Sequence, residues 1–237
     1  MKQIQDFTDD RYKGACLHCG DRLATKPTND DHVPSKALLD RPLPDNVHVV
    51  RTCVECNNGF SSDEEYFAAF LGAVMSGSTD PDAQTSETAR KVLAGNARLR
   101  NKIEAARTES MDAGGVSRRI WRSDLEKIRR VVVKNARGHA YHELGQPMLE
   151  EPDDVMIVPL EVIDEERLAD FLTVDLGPGW TEVGSRLLQR MIEGTDMVEG
   201  WIVVQPGVYI FAVIDTDGVT VRSIIREYLL TEVTWRS

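Results

Sequence analysis

The sequence predicts an α+β protein in three parts, and three observations predict it. Residues 1–60 lack long periodic runs and hold all four cysteines, in two Cys-x2-Cys pairs. From Ser61 to about residue 144, apolar residues recur at helical spacing. After Pro152 the pattern shifts to short apolar runs broken by Pro-Gly and Asp-Gly, which reads as a small antiparallel sheet with helices. The expected division is a cysteine-organised module over 1–75, a basic helical segment over 76–150 and an acidic α+β region over 151–237.

Each element has a local reason. Ser61 or Ser62, followed by Asp63, Glu64 and Glu65, can cap a helix carrying Tyr66, Phe67, Phe70, Leu71 and Val74. The same helix could start earlier, near Cys56. Residues 83–108 predict a second helix with Val92, Leu93, Leu99 and Ile103 inward, and 112–115 predict a turn. Ser123-Asp124 caps a third helix through Leu144, with Leu125, Ile128, Val131, Val132 and Ala136 as its apolar side, and Gly145-Gln146-Pro147 stops it. Residues 155–162 predict a strand, while 165–172 and 181–193 predict short helices. Residues 201–225 predict consecutive strands turning at Pro206-Gly207 and Asp217-Gly218.

The chain has 237 residues, 41% hydrophobic and 28% charged, which is enough for a buried core and typical of a globular protein. No apolar run reaches the ~18 residues of a membrane span. MKQIQDFTDDRYKG at the start has no apolar signal region. The expectation is therefore a reducing cytoplasm, where paired cysteines are metal ligands rather than disulfides. Net charge is −11, which taken whole argues against a nucleic-acid partner. Its distribution says otherwise. Residues 1–89 carry 8 basic and 15 acidic side chains, 90–137 carry 14 and 5, and 138–237 carry 6 and 19. The middle segment is thus a local positive field, which is what steers a polyanion.

Cys16-Leu17-His18-Cys19 and Cys53-Val54-Glu55-Cys56 are two metal knuckles. Four thiolates suit tetrahedral zinc, and a filled four-sulfur site has no open position, so its role is structural. Such a clasp ties together the ends of a stretch with few apolar residues and contributes its folding free energy. A redox pair or an iron–sulfur cluster would also use these residues, with less support from their context.

Between and beside the knuckles stand DDHVPSKALL (30–39), DNVHVV (45–50) and CNNGFSSDEEYF (56–67). In order and spacing this stretch resembles the HNH endonucleases of ββα-metal fold, over about 45 residues. The resemblance implies phosphodiester hydrolysis, DNA more than RNA, with His32 as general base. It implies that Asp31 and Asn57 bind a catalytic divalent ion and that Asn46 braces the loop by hydrogen bonds. Asp30, Asn58 and His48 are the respective alternatives to Asp31, Asn57 and Asn46. Asn57 stands where many relatives carry His, and an amide oxygen favours Mg²⁺ or Mn²⁺. Asp31 and His32 are neighbours and would face opposite sides of a regular strand, so their convergence needs a bend there.

Arg118, Arg119, Arg122, Arg129, Arg130 and Lys134 are the expected phosphate contacts, giving position rather than sequence readout. Lys36, Arg41 and Arg51 are loop or strand charges that could also meet phosphate. His139 and His142 share a helix face and are expected in packing or capping. The partner is nucleic acid, not a membrane, and a homodimer is possible. The competing function is a non-catalytic zinc-binding module that binds nucleic acid or regulates.

Overall fold

Alternation of buried and exposed residues over 28–33 and 48–53 forms the first pair of strands, and everything at the site is placed by them. The computed structural model describes residues 13–45, 47–111, 117–176, 183–193 and 197–236. In chain order come β1 (Thr28–Val33), β2 (His48–Cys53), α1 (Val54–Ser76), α2 (Glu87–Gly95) and α3 (Ala97–Ala105). They are followed by β3 (Arg107–Met111), β4 (Ser117–Trp121), α4 (Leu125–Leu144), β5 (Asp154–Pro159), α5 (Glu165–Leu172) and α6 (Arg186–Glu193). Last come β6 (Met197–Val198), β7 (Trp201–Gln205), β8 (Tyr209–Thr216), β9 (Gly218–Ile225) and β10 (Leu229–Arg236). The fold is mixed α+β, with six α-helices among the described residues and a six-stranded antiparallel sheet. None of these helices is long and apolar enough to cross a membrane.

Two compact units emerge, Met1–Gly59 with Val132–Ser237, and Phe60–Val131. They differ from a three-part division at 75 and 150. The cysteine-bearing hairpin shares its unit with the C-terminal sheet, and the chain leaves and re-enters that unit along α1 and α4.

In the first unit β1 and β2 pair antiparallel in unbroken register from Thr28↔Cys53 to Val33↔His48. Paired residues share a face. Asn29, Asp31 and Val33 therefore lie with Thr52, Val50 and His48 on the inner face, which is mostly buried. Thr28, Asp30 and His32 lie with Cys53, Arg51 and Val49 on the outer face. The later turns of α4 pack on the inner face. A Cβ at Gly138 would stand 2.6 Å from Val33 Cγ2, so only glycine lets the helix come this close to β1.

The six strands follow the order β5-β10-β9-β8-β7-β6. One face packs α5 through Phe171, with Trp201, Ala212 and Leu230 as a buried cluster. On the other face His139 of α4 stacks on Phe211 at 3.7 Å between ring centroids. The β9–β10 turn runs through Arg226 and Glu227, both at positive φ, and Asp40 binds the Arg226 guanidinium at 2.7 and 3.1 Å.

In the second unit the single helix expected over 83–108 is two. Asn96 ends α2 by donating its N–H to Val92 and starts α3 by accepting from Leu99 N–H at 3.0 Å. Arg107–Met111 and Ser117–Trp121 then pair antiparallel as β3 and β4 rather than forming helix end and loop; the turn expected over 112–115 lies outside the described residues. Asp63 on α1 is fully buried and bound by Lys127 and Arg130 of α4.

Candidate metal clasp and hairpin site

The first knuckle is a tight turn in which Gly20 N–H donates to Cys16 O at 2.8 Å and Cys16 N–H donates to Asp21 O at 2.9 Å. Gly20 adopts φ +74°, a conformation glycine takes without strain. The second knuckle uses the strand–helix junction, Cys53 ending β2 and Cys56 sitting in the first turn of α1. All four sulfurs lie within 4.8 Å of one another, and Cys19 Sγ to Cys53 Sγ is 3.9 Å. Four Zn–S bonds of ~2.3 Å in a tetrahedron set sulfurs ~3.8 Å apart. The cluster can therefore hold one metal ion such as zinc.

The clasp sets the start of α1 against β1. Asn57 Nδ2 donates to Asn29 Oδ1 at 3.0 Å, on the inner face that also carries Asp31. Asp31 is 4% exposed. Lys134 Nζ donates to its Oδ1 at 2.7 Å, and His18 Nε2 lies 3.4 Å from its Oδ2. Ser35 Oγ accepts from Lys134 at 3.1 Å, and Asn135 Oδ1 accepts from both Ser35 N–H and Oγ–H at 3.0 Å. Burial pushes the Asp31 carboxyl upward, but the hydrogen bond from His18 and the charge of Lys134 outweigh it and hold it below the usual range. Burial also lowers the His18 pKa, which makes this ring a neutral donor.

His32 faces the other way. Register runs unbroken through Asp31↔Val50, His32↔Val49 and Val33↔His48, so the bend expected between Asp31 and His32 is not there. The two side chains point to opposite faces of the hairpin. His32 is half-buried on the outer face, and partial burial followed by the nearby Lys36 charge lowers its pKa. A neutral imidazole at pH 7 can accept a proton.

The divalent ion expected at Asp31 and Asn57 does not fit this arrangement. Both Asp31 oxygens are engaged, one by an ammonium that already neutralises the carboxylate, and the residue is sealed from solvent. Asn46 lies outside the described residues. Its alternative, His48, faces inward from β2 and is 2% exposed. Asp30 is exposed and pairs with Arg51 at 3.4 Å, and Asn58 is exposed.

The expected phosphate contacts differ in what holds them. Lys134 is 3% exposed and holds Asp31, so its ammonium is not available at the surface. Arg130 is exposed but bound to Asp63. Arg122 is exposed after β4, and Arg129 is half-buried on α4. Arg118 and Arg119 belong to β4, with side chains outside the described residues.

A second polar cluster joins His48 and Arg190 to His142 and Glu143; the sequence offers His142 beside Glu143 but no further partner. Glu143, fully buried, accepts from Arg190 Nε at 2.8 Å and lies 3.0 Å from His142 Nδ1. His48 stacks on His142 at 3.5 Å and sits 3.1 Å from Arg190 Nη2. Burial pushes Glu143 upward, yet its bonds to His142 and Arg190 leave its carboxyl below the usual range. His48, His142 and Glu143 lie close enough to share a metal ion. The hydrogen bonding argues otherwise. Arginine only donates, so His48 Nε2 must accept and Nδ1 carries the proton, facing Glu143 Oε1 at 3.7 Å. A protonated nitrogen cannot ligate, and the guanidinium repels a cation. His142 and Glu143 are sequence neighbours, but His48 and Arg190 are far from them in the chain, and only the packed fold brings the four together.

Comparison with known proteins adds no assignment: no family model, curated protein or solved structure matches the chain.

Proposed function

We propose that the chain is a zinc-clasped phosphodiesterase of nucleic acid, an HNH-type endonuclease with His32 as general base. The observation that supports it is the order of parts around the clasp. A strand bearing Asp31-His32, a return strand and a helix follow directly, and Cys53, Cys56 and Asn57 lock the helix start to the hairpin. This is the arrangement the family resemblance implies. Zinc is the occupant expected of four thiolates, and it builds the site without taking part in the reaction.

His32 takes the proton from the water that attacks phosphorus, the P–O bond to the leaving sugar oxygen breaks and that oxygen takes a proton from solvent; the depressed pKa of His32 keeps it in the accepting form at neutral pH. Lys36 and Arg51 are exposed cations that can offset phosphate charge, Arg51 on the same strand face as His32. Asp31 is the positioning residue: its ion pair with Lys134 anchors the strand that presents His32. Mg²⁺ or Mn²⁺ belongs to the resemblance, and in this arrangement Lys134 stands where the ion would meet Asp31.

The deciding experiment is cleavage of supercoiled plasmid and of RNA by zinc-loaded protein, with no added ion, with Mg²⁺ and with Mn²⁺. Nicking or cutting in any condition supports the reading, and the ion dependence tells whether a divalent cation displaces Lys134. No cleavage under all conditions favours a second reading, a non-catalytic zinc-clasped module. The buried Asp31–Lys134 pair is the observation on that side.

A further inference from the structure

The cations of the second unit gather in its later part: residues 90–122 carry 9 basic and 3 acidic side chains. They lead into β3 and β4, a ribbon of two antiparallel strands paired from Arg107↔Trp121 to Met111↔Ser117, with no third strand among the described residues. Alternate residues of a strand face opposite sides. Thr108 and Ile120 share one face, Arg107 and Glu109 lie on the other, and all four are exposed. Neither face is covered at these positions, and Ile120 keeps 47% of its surface in water. A bare two-stranded hairpin is only marginally stable in water, so this one gains from a partner that covers it.

The foot of the ribbon is fixed while its charge stays available. Arg122 N–H donates to Ala106 O at 3.0 Å, which ties the end of β4 to the end of α3, and Trp121 is half-buried there. The Arg122 side chain is exposed and has no hydrogen-bond or ion-pair partner among the described residues. Arg107 pairs with Glu104 at 3.0 Å, but both side chains are partly exposed and such a pair contributes little. Arg118 and Arg119 hold the register positions opposite Ser110 and Glu109. Four arginines and a single carboxylate, Glu109, thus lie on these two strands or directly after them.

We propose that this ribbon enters the major groove of duplex DNA, with the Thr108–Ile120 face toward the base edges and Arg107 and Arg122, at its foot, on phosphates. A B-form major groove is ~12 Å wide and ~8.5 Å deep and admits a two-stranded ribbon, whose strands lie ~4.8 Å apart. An aliphatic side chain meets the thymine methyl there, and arginines hold phosphates without reading sequence. Duplex RNA does not fit, because its major groove is too deep and narrow for side chains to read. The proposal rests on the nucleic-acid reading for its partner, but not on His32 cutting that partner.

The test is fluorescence anisotropy of a labelled DNA duplex of about two helical turns. It is titrated with zinc-loaded full-length His32→Ala protein, without added divalent ion, over a series of salt concentrations. Saturation below ~10 μM at low salt is expected. Arg122→Ala should weaken binding about tenfold and lower the salt slope by about one. Ile120→Ser should weaken binding and leave the slope unchanged, because an apolar contact releases no counterion. Both side chains are exposed, so each variant should keep the unfolding midpoint of its parent. A duplex whose cytosines carry glucosylated hydroxymethyl groups has a filled major groove and should bind about tenfold more weakly. Distamycin, which fills the minor groove, should not compete. The proposal is overturned by lack of saturation, by parent affinity in either folded variant, or by equal affinity for the glucosylated duplex or for duplex RNA. A dimer broken by Ile120→Ser, with no duplex binding, assigns the ribbon to a second copy and also overturns it. Ribbon-dependent binding without plasmid cleavage by the wild-type chain upholds this proposal and removes the nuclease reading. Cleavage with wild-type affinity in the ribbon variants does the reverse.

Discussion

Lys134 Nζ stands 2.7 Å from Asp31 Oδ1, in an ion pair that joins α4 to β1 across 103 residues. Both side chains are nearly sealed from water, at 2% and 5% side-chain exposure. Removing one partner of a buried pair leaves the other charged and unpaired, at about 3–5 kcal/mol, whereas removing both is far milder. Asp31→Asn and Lys134→Met should each lower the urea midpoint strongly. The double variant should recover most of the loss, and additive losses would show that the pair is not coupled.

Zinc content is the second prediction. The protein should hold one zinc per chain, and Cys53→Ser or Cys56→Ser should lose it along with the order of the 13–59 segment. Metal analysis with hydrogen exchange across β1 and β2 reads both effects. Full protection of the hairpin in zinc-free protein would contradict the clasp.

Acid should unfold this protein early. His139 is buried against Phe211 with its pKa lowered to about 3, and His48 is also strongly lowered by burial. Between the folded value and ~6.5 the unfolded chain binds a proton that the native ring refuses. Stability from these groups is present above ~6.5 and falls as pH drops, by up to ~1.4 kcal/mol per pH unit per ring. Asp31, also depressed, adds loss only below ~3.9. Urea midpoints from pH 7.5 to 4.5 should fall steadily, and His139→Phe should flatten the curve.

Gly138 carries the fourth prediction. Alanine there usually favours a helix by ~1 kcal/mol, but its Cβ would meet Val33 at 2.6 Å. Overpacking of about 1–3 kcal/mol should win, so Gly138→Ala should destabilise. Val33→Ala in the same chain should relieve part of the clash.

Much of this architecture was legible because local chemistry declared it. Cys-x2-Cys pairs, the Ser123-Asp124 start of α4 and the Pro206-Gly207 and Asp217-Gly218 turns read correctly. The β9–β10 turn did not, because Arg226 and Glu227 adopt positive φ without glycine or asparagine. Asn96 was hidden inside a helical pattern because capping there depends on one side-chain bond. At the site, the sequence marks Asp31 and His32 as chemistry-bearing neighbours. It cannot show that Lys134, which looks like a surface phosphate contact, turns inward to bind Asp31. The Glu143–Arg190–His48 network was illegible for the same reason: its members meet only after β2, α4 and α6 pack.

The most direct measurement is the rate of plasmid cleavage by His32→Ala beside the wild-type chain, both zinc-loaded and matched in unfolding midpoint. Loss of a general base predicts a fall of roughly 10²–10⁴-fold. Equal rates for the two proteins would contradict the assignment of the imidazole on the outer face of the hairpin.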